Sequence, residues 1–152
     1  MSVTETGKAV GFECVTPILP VRNLAASIDY YTRVLGFKVD WQEPNIAGSV
    51  SRGRCHIMLC EGDQGHPGTW VWIGVEDCER LLEEYQRRGA KIRHQPTNYH
   101  WAYEMQIEDL DGNVLRMGSE PKIDRPIGEW FDMRGDIWAK SPDGGWTRTF
   151  RK

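Results

Sequence analysis

The 152-residue chain has four histidines, four cysteines and seven tryptophans, the residue types whose chemistry is hardest to replace. No G-x-S-x-G elbow is present. Ser51 and Cys55, which lie close to His56, have no evident acid partner to complete a nucleophilic relay. The glycine-rich run Gly62–Gly68 follows an apolar stretch but opens no helix, so it lacks the layout of a phosphate loop. His66, His94 and His100 are not spaced i, i+2 or i, i+4, as a preformed metal pair on one face would be. They read as hydrogen-bonded or solvated loop side chains. His56 shares a strand face with Met58 and Cys60, but one imidazole does not make a metal site. Cys14, Cys55, Cys60 and Cys78 form no C-x-x-C pair and read as reduced thiols.

The aromatic residues are more informative. Strand alternation puts Trp70 with Trp72, Val114 with Arg116, and Trp101 with Tyr103 and Met105, while Trp41 ends an earlier strand. If these faces line one cup together with His56 and Met58, they suit a flat or heteroaromatic ligand held by stacking, with Arg116 orienting a polar group. A cationic ligand would gain about 0.5–2 kcal/mol per aromatic face. The plainer alternative is that Trp70 and Trp72 fill the cup as core and the C-terminal segment packs on Trp41. Tyr30 and Tyr31 read as core, and Glu104 as a cross-sheet hydrogen-bonding partner or a ligand contact.

The elements that must position these side chains come from an internal repeat. Val21-Arg22-Asn23-Leu24, Ile28, Tyr31 and Gly36 recur as Val75-Glu76-Asp77-Cys78, Leu82, Tyr85 and Gly89. Each copy runs from an apolar strand into Asn or Asp, a side chain able to cap the helix that follows. Each helix closes on basic residues and a glycine, which suits a left-handed cap. Three strand-like stretches follow each helix, near 37–42, 46–52 and 54–61, then near 91–97, 100–108 and 113–118. The Asp109–Asn113 segment joins the last two as a hairpin turn. The fold expected is α+β, two β-α-β-β-β modules forming an incomplete barrel around a cup. A Trp-rich tail follows, with short strand-like runs near 128–133, 136–140 and 145–150; its aromatic content argues against disorder.

Bulk properties exclude several classes. Nineteen Lys and Arg against 22 Asp and Glu leave a net charge of −3, without the basic excess of a nucleic-acid binder. No apolar run approaches the roughly 18 residues of a membrane span. The opening MSVTETGKAVGF lacks an apolar signal region, and the expectation is a cytoplasmic protein.

Three strings in order, ILPVRNL at 18–24, YYTRVLGF at 30–37 and WAYEM leading to DLDGNVLR at 101–116, resemble the vicinal oxygen chelate superfamily. That superfamily includes glyoxalases, bleomycin-resistance proteins and extradiol dioxygenases, and the chain looks most like its bleomycin-resistance branch. The resemblance implies a domain over residues 12–120, with modules near 12–61 and 69–118, an N-terminal arm at 1–11 and an extension at 121–152. The four positions that carry metal ligands in metal-dependent members hold Thr16, Met58, Trp70 and Arg116. Thr16, Met58 and Trp70 supply no imidazole or carboxylate, and the always-charged Arg116 repels a cation.

The resemblance therefore implies a non-enzymatic protein without metal or cofactor. It would sequester a small aromatic molecule, with bleomycin as a representative, and pair as a homodimer. The ligand-binding candidates are Trp41, His56, Met58, Trp70, Trp72, Trp101, Tyr103 and Arg116, with no catalytic residue and no membrane partner. The alternatives are a divergent metal-dependent glyoxalase- or dioxygenase-type enzyme using a carboxylate such as Glu104 with His56, and a regulatory module that binds no ligand.

Overall fold

The computed structural model describes residues 9–151; of the expected N-terminal arm at 1–11, residues 1–8 lie outside the described residues. The first module opens with β1 (Ile18–Val21). Asn23 caps α1 (Leu24–Asp29), its side chain accepting the Ala26 amide at 2.9 Å. The expected single helix changes form at Tyr30–Val34, which is π-helical: Leu35 N donates to Tyr30 O at 3.1 Å. The wider turn lets both tyrosines reach the second module. Tyr30 Oη donates to Glu108 O at 2.8 Å, and Tyr31 Oη to Asp109 Oδ2 at 2.9 Å. Local periodicity carries no sign of these long-range bonds.

Next come β2 (Lys38–Glu43), β3 (Ala47–Arg52) and β4 (Cys55–Glu61), in a sheet ordered β1-β4-β3-β2 with β1 parallel to β4. The second module repeats the plan with β5 (Trp70–Gly74), α2 (Cys78–Arg88), β6 (Lys91–Asn98), β7 (Tyr103–Glu108) and β8 (Val114–Ser119). Its sheet is ordered β5-β8-β7-β6, with β5 parallel to β8. Asp77 caps α2 through the Arg80 amide, and Gly89 closes it in the left-handed region at φ 80°. The duplicated architecture is the α+β fold expected from the sequence.

The helix-facing sides of both sheets feed one core. Leu19, Val50 and Leu59 come from the first sheet; Met105, Leu115 and Met117 come from the second; all are nearly or fully buried. Burying each such side chain contributes about 1.5–3 kcal/mol. Polar bonds tie the modules across this core. Arg52 clasps Glu84 of α2 at 2.8 and 2.9 Å, and Tyr85 Oη donates to Leu35 O at 2.9 Å. Burial pushes the Tyr31 phenol and the Asp109 carboxyl up from their ordinary values.

The tail forms a third sheet of β9 (Trp130–Phe131), β10 (Asp136–Lys140) and β11 (Trp146–Arg151), ordered β11-β10-β9 and antiparallel. Asp132 organises its first hairpin: Oδ1 accepts the Arg134 and Asp136 amides at 2.9 and 2.8 Å, and Oδ2 accepts Trp138 Nε1 at 2.8 Å. Among the described residues no helix is long and apolar enough to cross a membrane.

Candidate functional site

Alternation along the second sheet divides its side chains cleanly. Val71, Ile73, Met105, Ile107, Leu115 and Met117 turn to the helix-side core. Trp70, Trp72, Glu104, Gln106 and Arg116 therefore occupy the far face, where the register sets Trp72 beside Arg116 and Arg116 beside Gln106. Gly118 leaves room for the indole of Trp72: a Cβ at Gly118 would run into that ring.

The polar centre of this face is Arg116 with Glu104. Arg116 Nε donates to Glu104 Oε2 at 3.0 Å and Nη2 to Oε1 at 2.9 Å, and Trp101 Nε1 donates to the same Oε1. Glu104 is buried, and this two-point contact matches its charge. The guanidinium carbon lies 5.2 Å from the Trp72 ring centroid and 4.8 Å from that of Trp130. Arg116 was expected to orient a polar group of the ligand; instead, two of its nitrogens are taken by Glu104.

The tail rests on this same face. Gln106 Nε2 donates to Phe131 O at 2.9 Å, and Arg93 Nη2 to Asp132 O at 2.5 Å. The Arg93 guanidinium lies between the Trp70 and Phe131 rings, at 5.1 and 4.3 Å from their centroids, and burial lowers its pKa. Tyr99 stacks on Trp101 at 4.8 Å and 4°, and its hydroxyl donates to Glu129 O at 2.7 Å. Trp130 packs edge-on against both rings of that stack. Between these groups lies a cavity of about 390 Å³ lined by Trp101, Arg116, Trp130, Trp138 and Trp146.

The sequence-derived candidates are not brought to one place. Trp101 and Arg116 line the cavity; Trp70, packed against Trp130 of the tail, and the half-exposed Trp72 lie on the same sheet face. Tyr103, expected to share a face with Trp101, is buried in the helix-side core with Met105. The reason is a tight turn in which Tyr99 N donates to Ala102 O at 2.8 Å. Strand β7 begins only at Tyr103, so Trp101 sits off the ladder. Trp41, His56 and Met58 belong to the first sheet, and none of them lines the cavity.

On that first sheet Asp40 gathers Ser51 Oγ at 2.7 Å, Ser49 Oγ at 3.1 Å and His56 Nδ1 at 3.2 Å. Ser51 foremost, then His56 and Ser49, hold the Asp40 carboxyl below its ordinary range. His56 is thus engaged by Asp40, while Glu104 is engaged on the other sheet by Arg116, and the two do not form a joint ligand set. Among the described residues no three His, Cys, Asp or Glu side chains cluster so as to hold a metal ion.

A larger recess of about 600 Å³ opens between the modules on the helix side, lined by Phe37, Arg52, Met117 and mostly charged residues of α2. It contains none of the aromatic candidates. The side chains that sequence reasoning missed are Trp130, Trp138 and Trp146. Register places Trp130 directly opposite Trp138, a pairing that their even spacing in an antiparallel ribbon permits.

The family model described as the Glyoxalase/Bleomycin resistance protein/Dioxygenase superfamily matches residues 12–117. No curated protein matches the chain in sequence. Among solved structures, a bleomycin-binding protein from bleomycin-producing Streptomyces verticillus, complexed with copper(II)-bleomycin, superposes with TM-score 0.64 at 22% identity. The match covers 73% of this chain and 98% of that one. A bleomycin resistance determinant encoded on transposon Tn5 gives TM-score 0.63 at 20% identity, covering 72% and 98%. TnmS3, an antibiotic binding protein from Streptomyces sp. CB03234, gives 0.63 at 21%, covering 75% and 100%. These three are matched over nearly their whole length, whereas about a quarter of this chain has no counterpart in them.

Proposed function

This chain belongs to the Glyoxalase/Bleomycin resistance protein/Dioxygenase superfamily, and from that premise we propose that it binds and sequesters a small aromatic, drug-like molecule without transforming it. The observation that carries this reading is the cavity with four tryptophans on its walls and a charge-matched arginine among them. Such a wall offers stacking area and little that could move a proton or hold a reacting atom. Two of the indole N–H groups are already committed, Trp101 to Glu104 and Trp138 to Asp132, which holds those rings in place before a ligand arrives. The fold neighbours that bind bleomycin or another antibiotic support the ligand class. Capture is stoichiometric: the compound is held between indoles and kept from its target.

Trp41, His56 and Met58 are then left for the second copy of a homodimer, on a sheet face where Trp41 is 48% exposed. The setting is the cytoplasm, where the free cysteines stay reduced.

The test is a tryptophan-fluorescence titration with bleomycin, metal-free and copper-loaded, corrected for absorbance of the exciting light. The expected result is saturable quenching at one ligand per chain, reduced in a folded Trp101→Ala variant. A flat titration with bleomycin and with a panel of aromatic antibiotics overturns the reading.

A further inference from the structure

Three of the four tryptophans around the cavity, Trp130, Trp138 and Trp146, come from the segment beyond the family match, which ends at residue 117. That segment does not hang from the domain. Asn98 Nδ2 donates to the carbonyls of Lys122 and Arg125 at 2.7 and 3.0 Å, and its Oδ1 accepts the Lys122 amide at 2.7 Å. Gly128 N donates to Asn98 O at 2.9 Å, where a Cβ on the glycine would collide with Thr97. From there the chain crosses the far face of the second sheet, anchored by Gln106 and Arg93. Among the described residues no buried side-chain nitrogen or oxygen lacks a hydrogen-bond partner.

We infer that the C-terminal extension completes the ligand pocket within a single chain. The ligand lies between Trp101 and Arg116 of the second module and Trp130, Trp138 and Trp146 of the extension, and a second copy adds nothing to it. The occupant is a planar ring system without an anionic group. The indole faces carry negative potential, and of the two cations against them, Arg116 over Trp130 is clasped by Glu104 and Lys140 over Trp146 donates to Gly144 O. This inference rests on the binding reading above and adds to it the source of the walls and the charge of the guest.

The test uses the full chain, two flat tricyclic probes of opposite charge, 9-aminoacridine and anthracene-9-carboxylate, and calorimetry at two protein concentrations about tenfold apart. The cation is expected to bind at one site per chain with the same Kd at both concentrations, and more tightly than the anion. Trp146→Ala is expected to weaken binding about tenfold, the loss of one stacking partner. Trp41→Ala, on the other sheet, leaves binding unchanged. Trp130→Ala is read alongside, with near-ultraviolet dichroism to show which variants keep the fold; Trp146, on an edge strand of the third sheet, carries the test if Trp130→Ala unfolds. The inference is overturned if affinity rises with protein concentration, if Trp41→Ala abolishes binding while Trp146→Ala retains it, or if the anion binds more tightly. In those cases a ligand still binds and the broader reading stands. If neither probe nor bleomycin binds the folded protein, both fall together.

Discussion

Arg116 and Glu104 neutralise each other beneath a layer of indoles, joined by two parallel N–H···O bonds at 2.9 and 3.0 Å. Glu104 is 1% exposed, so its carboxylate depends on this partner and on Trp101 for its solvation. The floor of the cavity is therefore built around an ion pair that a ligand need not disturb.

Removing one side of that pair should cost more than removing both. Arg116→Met leaves a buried carboxylate with one remaining donor and is expected to destabilise the fold by about 3 kcal/mol. Adding Glu104→Gln should recover a large part of the loss. Urea unfolding of the single and double variants closes the cycle. A cost below about 1 kcal/mol for Arg116→Met would show that water reaches Glu104 and that the pair does not organise the floor.

Gly36 and Gly89 share φ 80° but differ in surroundings. A Cβ on Gly36 would lie 2.5 Å from Arg52 Nη1 and 3.0 Å from Glu84 Oε2, whereas Gly89 faces open space. Gly89→Ala is expected to cost about 1 kcal/mol, the left-handed penalty alone. Gly36→Ala adds displacement of the Arg52–Glu84 pair and is expected to cost about 1 kcal/mol more. Equal melting temperatures for the two variants would remove the pair from the energetics of the helix end.

Acid should dissolve the same link between modules. Arg52 holds the Glu84 carboxyl below its ordinary range. A carboxyl with a depressed folded-state pKa stabilises fully above its unfolded value, about 4.3, and loses that contribution as pH falls through the folded value. The difference in melting temperature between the wild type and Glu84→Gln is thus expected to be constant from about pH 7 to 5 and to shrink below about pH 4. A difference that grows on acidification contradicts the assignment.

Asp132 is the hinge pin of the extension. Asp132→Ala removes the acceptor of Trp138 Nε1 and of two backbone amides at once. The expected result is a red-shifted tryptophan emission and weaker near-ultraviolet dichroism, while far-ultraviolet dichroism from the two modules persists. An unchanged emission maximum would mean that stacking alone holds the hairpin.

The modules were legible because their signals are local. Asn23 and Asp77 cap, Gly36 and Gly89 terminate, and the strands between them alternate. The π-helical turn was not, since it answers to Tyr30 and Tyr31 bonding to a turn almost 80 residues away. The face of Tyr103 was misjudged because period-two counting passed through Trp101, which a tight turn removes from the ladder. The walls of the cavity could not be read, because nothing in the spacing of Trp130, Trp138 and Trp146 says which sheet they will cover.

The extension has a consequence for how the chain is made. Its anchors, Asn98, Gln106 and Arg93, all belong to the second module, and the segment leaves the ribosome after that module is complete. Until residues 122–146 emerge, at about 5–20 residues per second, Trp70 lacks the Trp130 ring that packs on it and faces water on a freshly formed sheet. During that interval of a few seconds the exposed apolar surface makes nascent chains prone to stick to one another. The yield of folded protein should accordingly respond more to translation rate and to chaperones than the stability of the finished molecule suggests.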